Sequence, residues 1–146
     1  MSQPHDKVFS KFEWFAIGFL CFLFVLTYVL TLTDVFVIFP LTDIPLHFLG
    51  GFFVALFFIG YLHRALGATN SFVGDITIIV GVSLLVGVGW EIFEFVLDKV
   101  LPAGISLFRG GDLFDTLKDL VVDSAGAAAM FLLVRSRYRK SVMFNG

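Results

Sequence analysis

The stretch ITIIVGVSLLVGVGWEIFEFVLDKV, residues 76–100, decides how the whole chain is read. Continued as a helix to about residue 97, its apolar run is long enough to cross ~30 Å of hydrocarbon at ~1.5 Å per residue. Yet Glu91, Glu94 and Asp98 close it, spaced three and four apart, and together with Gly87 they share one helical face. A membrane helix with an acidic stripe at one end follows, and the rest of the chain must supply what that stripe faces.

The composition agrees with a membrane setting. The 146 residues are 58% hydrophobic, with a mean hydropathy of +0.95, above the ~45–50% apolar share of a soluble domain. The apolar residues fall in blocks, which predicts helices over about 14–32, 46–62, 76–97 and 113–134. The expected fold is an all-α integral membrane bundle of four transmembrane helices in a single domain, 1–146. The first block is too long for a signal-peptide core and no A-x-A-like site follows it, so it is expected to remain as a helix. Pro40 and Pro45 interrupt the chain before helix two, where an interfacial turn or short dip fits. The stretch DKVLPAGISLFRGGD, residues 98–112, reads as a short interfacial segment between helices three and four.

Several classes fall away. The net charge is −2 and no basic, aromatic-interleaved segment offers a groove for a nucleic-acid backbone. Cys21 is the single cysteine, which excludes an intrachain disulfide and a cysteine-based zinc site. A haem between His47 and His63 is disfavoured, since sixteen helical residues separate them by ~24 Å.

Lys and Arg collect on the cytoplasmic side of membrane proteins. With four crossings and both termini cytoplasmic, that side holds Lys7, Lys11, Arg64, Arg135, Arg137, Arg139 and Lys140, leaving Lys99, Arg109 and Lys118 outside. This topology brings the start of helix two, the end of helix three and the start of helix four to the outer face of the cell membrane. Asp43 and His47 then meet Glu91, Glu94 and Asp98 and the series Asp112, Asp115, Asp119 and Asp123. Each polar stripe runs into small residues: His47 into Gly50 and Gly51, Glu91 into Gly87, and Asp123 into Gly126 and Ala127. Small residues mark close helix approach, so these faces are expected to point inward. An acid at the centre of a membrane helix costs ~2.5–3.5 kcal/mol on insertion scales. Lys118 and Arg109 cannot neutralise the acids of helices three and four, which invites protons, a divalent cation or a cationic group. Structural alternatives stand beside this. Asp112 fits the N-cap of helix four, Asp98 a solvated helix end, and His47 a hydrogen-bonded structural residue.

The segments DIPLHFLGG, WEIFE and DTLKDLVVDSAGA together resemble the VanZ-like and YjdF-like small multi-pass bacterial membrane proteins. The shared marks fall on His47 and Gly50, on Trp90, Glu91 and Glu94, and on Asp115, Asp119 and Gly126, over about residues 43–130. Asp123 stands where that pattern favours Asn. The resemblance implies an association with resistance to a lipoglycopeptide-type antibiotic acting at the outer membrane face. Asp-x-x-Asp and Asp-x-x-x-Asp spacings also occur in CDP-alcohol phosphotransferases, but the Asp-Gly-x-x-Ala-Arg signature of that family is missing.

Two functional readings come from different classes. In the first, Glu91, Glu94, Asp115, Asp119 and Asp123 hold a divalent ion (Mg²⁺, Ca²⁺, Mn²⁺ or Zn²⁺) that engages a membrane lipid or lipid-linked envelope precursor through its phosphate. Arg109, Asp43 and Trp90 are then candidate substrate contacts, and in an enzyme His47 is the candidate general base. In the second, the same acids carry protons or a cationic solute through a small coupled transporter. A scaffold whose acids only join helices, alone or as a homo-oligomer, is the plain alternative.

Overall fold

The computed structural model describes residues 10–66, 71–100 and 113–144. Among them are helices α1 (Lys11–Leu32), α2 (Val35–Ile38), α3 (Asp43–Leu66), α4 (Phe72–Val100) and α5 (Leu113–Phe144), with a 3-10 turn at Pro40–Thr42 before α3. No strand occurs among the described residues. The fold is the expected all-α membrane bundle. Three helical spans, Lys11–Leu32, Pro40–Leu62 and Phe72–Val100, are long and apolar enough to cross a membrane. α5 is not one of them, because its first turns carry Asp115, Lys118, Asp119 and Asp123.

Helices α1, α3 and α4 begin three or four residues before the apolar blocks do, and local chemistry explains why. Ser10 caps α1 in a reciprocal box with Glu13: the Ser10 hydroxyl accepts from the Glu13 N–H at 3.4 Å, and the Ser10 N–H donates to Glu13 Oε2 at 2.6 Å. Ser71 does half as much for α4, its hydroxyl accepting from the Gly74 N–H at 3.2 Å. α3 starts at Asp43, so Pro45 lies in the first turn, where its missing N–H would have had no helical partner. The consequence is that Asp43 becomes helical and shares a face with His47, four residues on. Asp34 turns the chain out of α1 with φ of 56°, a left-handed conformation that Asp tolerates better than most residues. The segment between helices three and four lies outside the described residues.

α3 is central. It packs most extensively against α5, then against α1, while α4 lies on α5 and more lightly on α3. Glycines set the α3–α5 crossing. A Cβ on Gly51 would collide with the Asp123 carbonyl, and one on Gly126 would collide with the Phe48 carbonyl, so the two backbones touch. On one side of this crossing lies a dry core of Ala55, Ile79, Ala127, Met130 and Phe131. Many large apolar side chains face outward, among them Phe12, Phe22, Val25, Leu85, Phe95 and Val121. A soluble protein would bury such a surface; lipid covers it in a membrane protein.

α4 and α5 are antiparallel. At one end Phe72 packs on Phe131, ring centroids 5.7 Å apart, and Arg135 sits over the Phe72 ring at 4.6 Å. At the other end Thr116 reaches Glu91. The start of α3, the end of α4 and the start of α5 therefore meet, as the topology of the sequence required.

Candidate functional site

α3 brings Asp43 and His47 to this meeting point, α5 brings Asp115, Lys118, Asp119 and Asp123, and α4 brings Trp90, Glu91 and Glu94. All of them line one cavity of about 670 Å³. His47, Asp119 and Asp123 are buried, with 8%, 3% and 6% of their surface exposed. Gly87 on α4 leaves room for Asp123: a Cβ there would stand 2.5 Å from its Oδ2. The small-residue stripe of α4 thus admits a carboxylate as well as a helix.

His47 is held from both ring nitrogens. Nε2 lies 3.4 Å from Asp43 Oδ1 and 3.9 Å from Asp119 Oδ2, and Nδ1 lies 3.4 Å from Asp123 Oδ1. Lys118 joins the acids at the mouth. Its Nζ donates to Asp115 Oδ1 at 2.5 Å and to Asp43 Oδ2 at 3.5 Å, and lies 3.3 Å from Asp119 Oδ1. The last contact is an ion pair without hydrogen-bond geometry, so Asp119 Oδ1 accepts no hydrogen bond although it is buried. On α4, Glu91 Oε2 accepts from the Thr116 hydroxyl at 2.9 Å, while Glu91 Oε1 is also buried without a hydrogen bond. A buried acceptor in the state of Glu91 Oε1 costs ~1–3 kcal/mol, whereas Asp119 Oδ1 is offset by the Lys118 ammonium beside it.

One imidazole and two carboxylates make a donor group that could hold a metal ion. Asp43, His47 and Asp119 each offer one ligand atom, all within 4.8 Å of one another. Mixed imidazole and carboxylate donors suit Zn²⁺ or Mn²⁺, whereas Ca²⁺ and Mg²⁺ prefer oxygen alone. Asp123, behind the ring at Nδ1, stands where metal-binding histidines usually keep a carboxylate to fix the tautomer and the ring orientation.

The donor group differs in membership from the expected ligand set. Asp119 belongs to both, but Asp43 enters it as a ligand candidate and His47 as a nitrogen donor. Asp115 faces Lys118, Asp123 faces His47, Glu91 faces Thr116, and Glu94 lines the cavity wall with Trp90. Arg109 and Asp112 lie outside the described residues. The sequence reading overlooked Ser83, a buried cavity-lining residue, and the three-way role of Lys118. The spacing Asp115, Lys118, Asp119 was a usable signal for the latter, since i+3 and i+4 neighbours share a face.

Comparison with known proteins gives a family but no assigned activity. Residues 7–141 match the model of the family described as "Predicted membrane protein (DUF2238)". An uncharacterised protein of Thermotoga maritima is 35% identical over 98 residues, 67% of this chain and 48% of the relative, so the chain spans about half the length of that protein. No solved structure matches.

Proposed function

Because the chain belongs to this family of predicted membrane proteins, we propose that it holds a divalent cation at Asp43, His47 and Asp119 and uses it to engage the phosphate of a cell-envelope lipid or lipid-linked precursor. One observation carries the reading. Donors from two separate helices converge within 4.8 Å, two of the three residues are buried, and Asp119 still has an oxygen without a hydrogen bond. Among the described residues that line the cavity, six carboxylates besides the exposed Asp34 stand against Lys118, a balance that opposes an anionic phosphate. A bridging cation resolves that conflict. In an enzymatic version the ion would supply Lewis-acid stabilisation of phosphoryl charge. His47, with a carboxylate at each nitrogen, suits a ligand better than the free base expected from sequence. The VanZ-like resemblance and the Lys/Arg bias both favour an outward-facing site.

The test is metal content. Protein purified without chelator should carry Zn²⁺ or Mn²⁺ near one equivalent by elemental mass spectrometry, and Asp119→Asn or His47→Gln should lose it. Sidedness is checked separately in a Cys21→Ser background: outside labelling should reach Gly104→Cys and miss Ala68→Cys and Val142→Cys.

A second reading has its own observation. Asp43, His47 and Asp123 form a relay with gaps of 3.4 Å running inward along α3 and α5, as proton-coupled carriers use. Metal-free protein that acidifies liposomes under a proton gradient would replace the first reading with this one.

A further inference from the structure

The cavity does not end at the acids. Past them its wall turns apolar, with Leu20, Leu23, Val54 and Val86, and one polar group stands in this deeper part, Ser83. Ser83 is 2% exposed and its hydroxyl has no hydrogen-bond partner. Three other helical hydroxyls among the described residues are satisfied by their own helix. Helical hydroxyls ordinarily bond back to a carbonyl one turn earlier. Thr31 does so to Thr27 at 2.8 Å, Thr33 to Val29 at 2.9 Å and Ser124 to Leu120 at 2.7 Å. Ser83 lies one turn, ~6 Å, deeper than Gly87, and Gly87 faces Asp123. Asp119 lies a further turn, ~6 Å, above Asp123, so a lipid whose phosphate sits between Asp119 and Asp123 would extend its glycerol and ester oxygens inward toward Ser83.

The walls are unequal. α3 and α5 touch backbone to backbone, and α1 runs along α3, but α1 and α4 make no comparable approach. Aromatic rings span that seam. Phe24 of α1 lies 5.9 Å from Trp90 and 6.2 Å from Phe93 of α4, and Trp90 and Phe93 are 5.5 Å apart. Phe24 and Trp90 both line the cavity, while Phe93 packs on them without lining it and is 38% exposed. Phe24 both lines the cavity and is 48% exposed, so at that ring the barrier is one side chain thick. Aromatic pairs are worth only ~0.5–1.5 kcal/mol beyond their burial, so the Phe24 ring turns at little cost, while Trp90, which also hydrogen-bonds Glu94, is the firmer half of the pair.

We infer that the cavity admits a fatty-acyl phospholipid sideways from the bilayer through the α1–α4 seam, with Phe24 and Trp90 as the latch and the Ser83 hydroxyl donating to the acyl ester. This rests on the reading that the polar end engages a lipid phosphate. A cavity of this volume lies within the ~300–1,000 Å³ of ligand sites, enough for one chain and its ester.

Trp90 reports the test. In full-length Trp14→Phe protein in detergent, lysophosphatidylglycerol brominated on its acyl chain should quench Trp90 saturably near one equivalent. A Trp90→Phe control, reporting Trp14, should be quenched weakly and in proportion to added lipid. Ser83→Ala should raise the half-saturating concentration about fivefold, one ordinary hydrogen bond. Phe24→Cys with Phe93→Cys in a Cys21→Ser, Trp14→Phe background, bridged by a bis-maleimide, should slow the onset of quenching at least tenfold against the same unbridged protein. Equal, unsaturable quenching at both tryptophans overturns the inference, and an unchanged rate after bridging overturns the seam. Displacement of the label by a prenyl monophosphate but not by unbrominated lysophosphatidylglycerol overturns the acyl ester. Saturable quenching that survives EDTA sinks the cation reading and sustains this one.

Discussion

The bundle buries an acid at each end, and the two ends use it differently. Where α1 begins, Glu13 is fully buried, accepts from the Ser10 N–H and packs against Gly60 of α3, where an added Cβ would lie 3.1 Å from the Glu13 Cδ. Where α3 and α5 begin, Asp119 is buried just as deeply, but its neighbours His47, Asp43 and Lys118 include two residues from another helix, and one oxygen accepts no hydrogen bond. The hydrogen bond from Ser10 makes Glu13 part of the start of its own helix, whatever else it touches. Asp119 belongs to a group assembled by tertiary packing. A buried carboxylate is therefore no mark of function in a membrane bundle; donors converging from separate helices with an acceptor to spare are.

The contrast breaks most easily at the α3–α5 crossing. Gly51→Ala places a methyl against the Asp123 carbonyl, which is backbone and cannot move aside as a side chain would. The crossing must shift, and overpacking of this kind costs about 3 kcal/mol. Size-exclusion chromatography should show loss of the monodisperse species or a melting midpoint many degrees lower. A midpoint within two degrees of wild type would show that the crossing is not as close as described.

Metal supply should move one end only. If Zn²⁺ or Mn²⁺ binds the folded state alone, a hundredfold excess over Kd adds about 2.7 kcal/mol. The melting midpoint should rise accordingly and fall back with EDTA. Asp119→Asn should lose the response while Glu13→Gln keeps it in full. Loss in both would make the response a property of the whole bundle and sever it from the site. In metal-free protein, Asp119→Asn should be as stable as wild type or slightly more so, since the amide relieves an undercompensated buried charge.

Glu13→Gln tests the other half. An amide can still accept from the Ser10 N–H, so the cap is weakened rather than removed, at about 0.5–1 kcal/mol. Metal content should be unchanged.

How much of this was legible beforehand follows the same division. Apolar length placed all four long helices, and their up-and-down alternation led to the convergence of three helix ends that the bundle displays. The S-x-x-E pattern of Ser10 and Glu13 signals the start of α1 at Lys11, and a reading by apolar length passes over it in favour of the block that starts three residues later. Asp43 was legible as a neighbour of His47, but its helical face depended on Pro45 falling inside the first turn of α3. The facing of Asp119 toward His47, and of Glu91 toward Thr116, depends on the rotational phase of packed helices. Periodicity gives a stripe; only the Gly51 and Gly126 contacts fix what it faces. Ser83 gave no sign at all, because a hydroxyl in an apolar helix ordinarily satisfies itself.

The smallest expected effect is the sharpest control on the crossing. Gly60→Ala resembles Gly51→Ala in sequence terms: both put a methyl on α3 where a neighbouring helix comes close. The neighbours differ. At Gly60 the methyl meets the Cδ, Cγ and Oε1 of Glu13 at 3.1–3.2 Å, the far end of a side chain that can yield a few tenths of an ångström. Alanine also recovers up to about 1 kcal/mol of helix propensity over glycine. The two terms oppose each other, so the net change should stay within about 0.5 kcal/mol, and the Gly60→Ala midpoint should lie close to wild type. A loss as large as that of Gly51→Ala would mean that the Glu13 carboxylate is held as rigidly as a backbone carbonyl. Its end of the bundle would then be organised by tertiary contacts too, and the distinction between a capping acid and an assembled site would have to be drawn elsewhere.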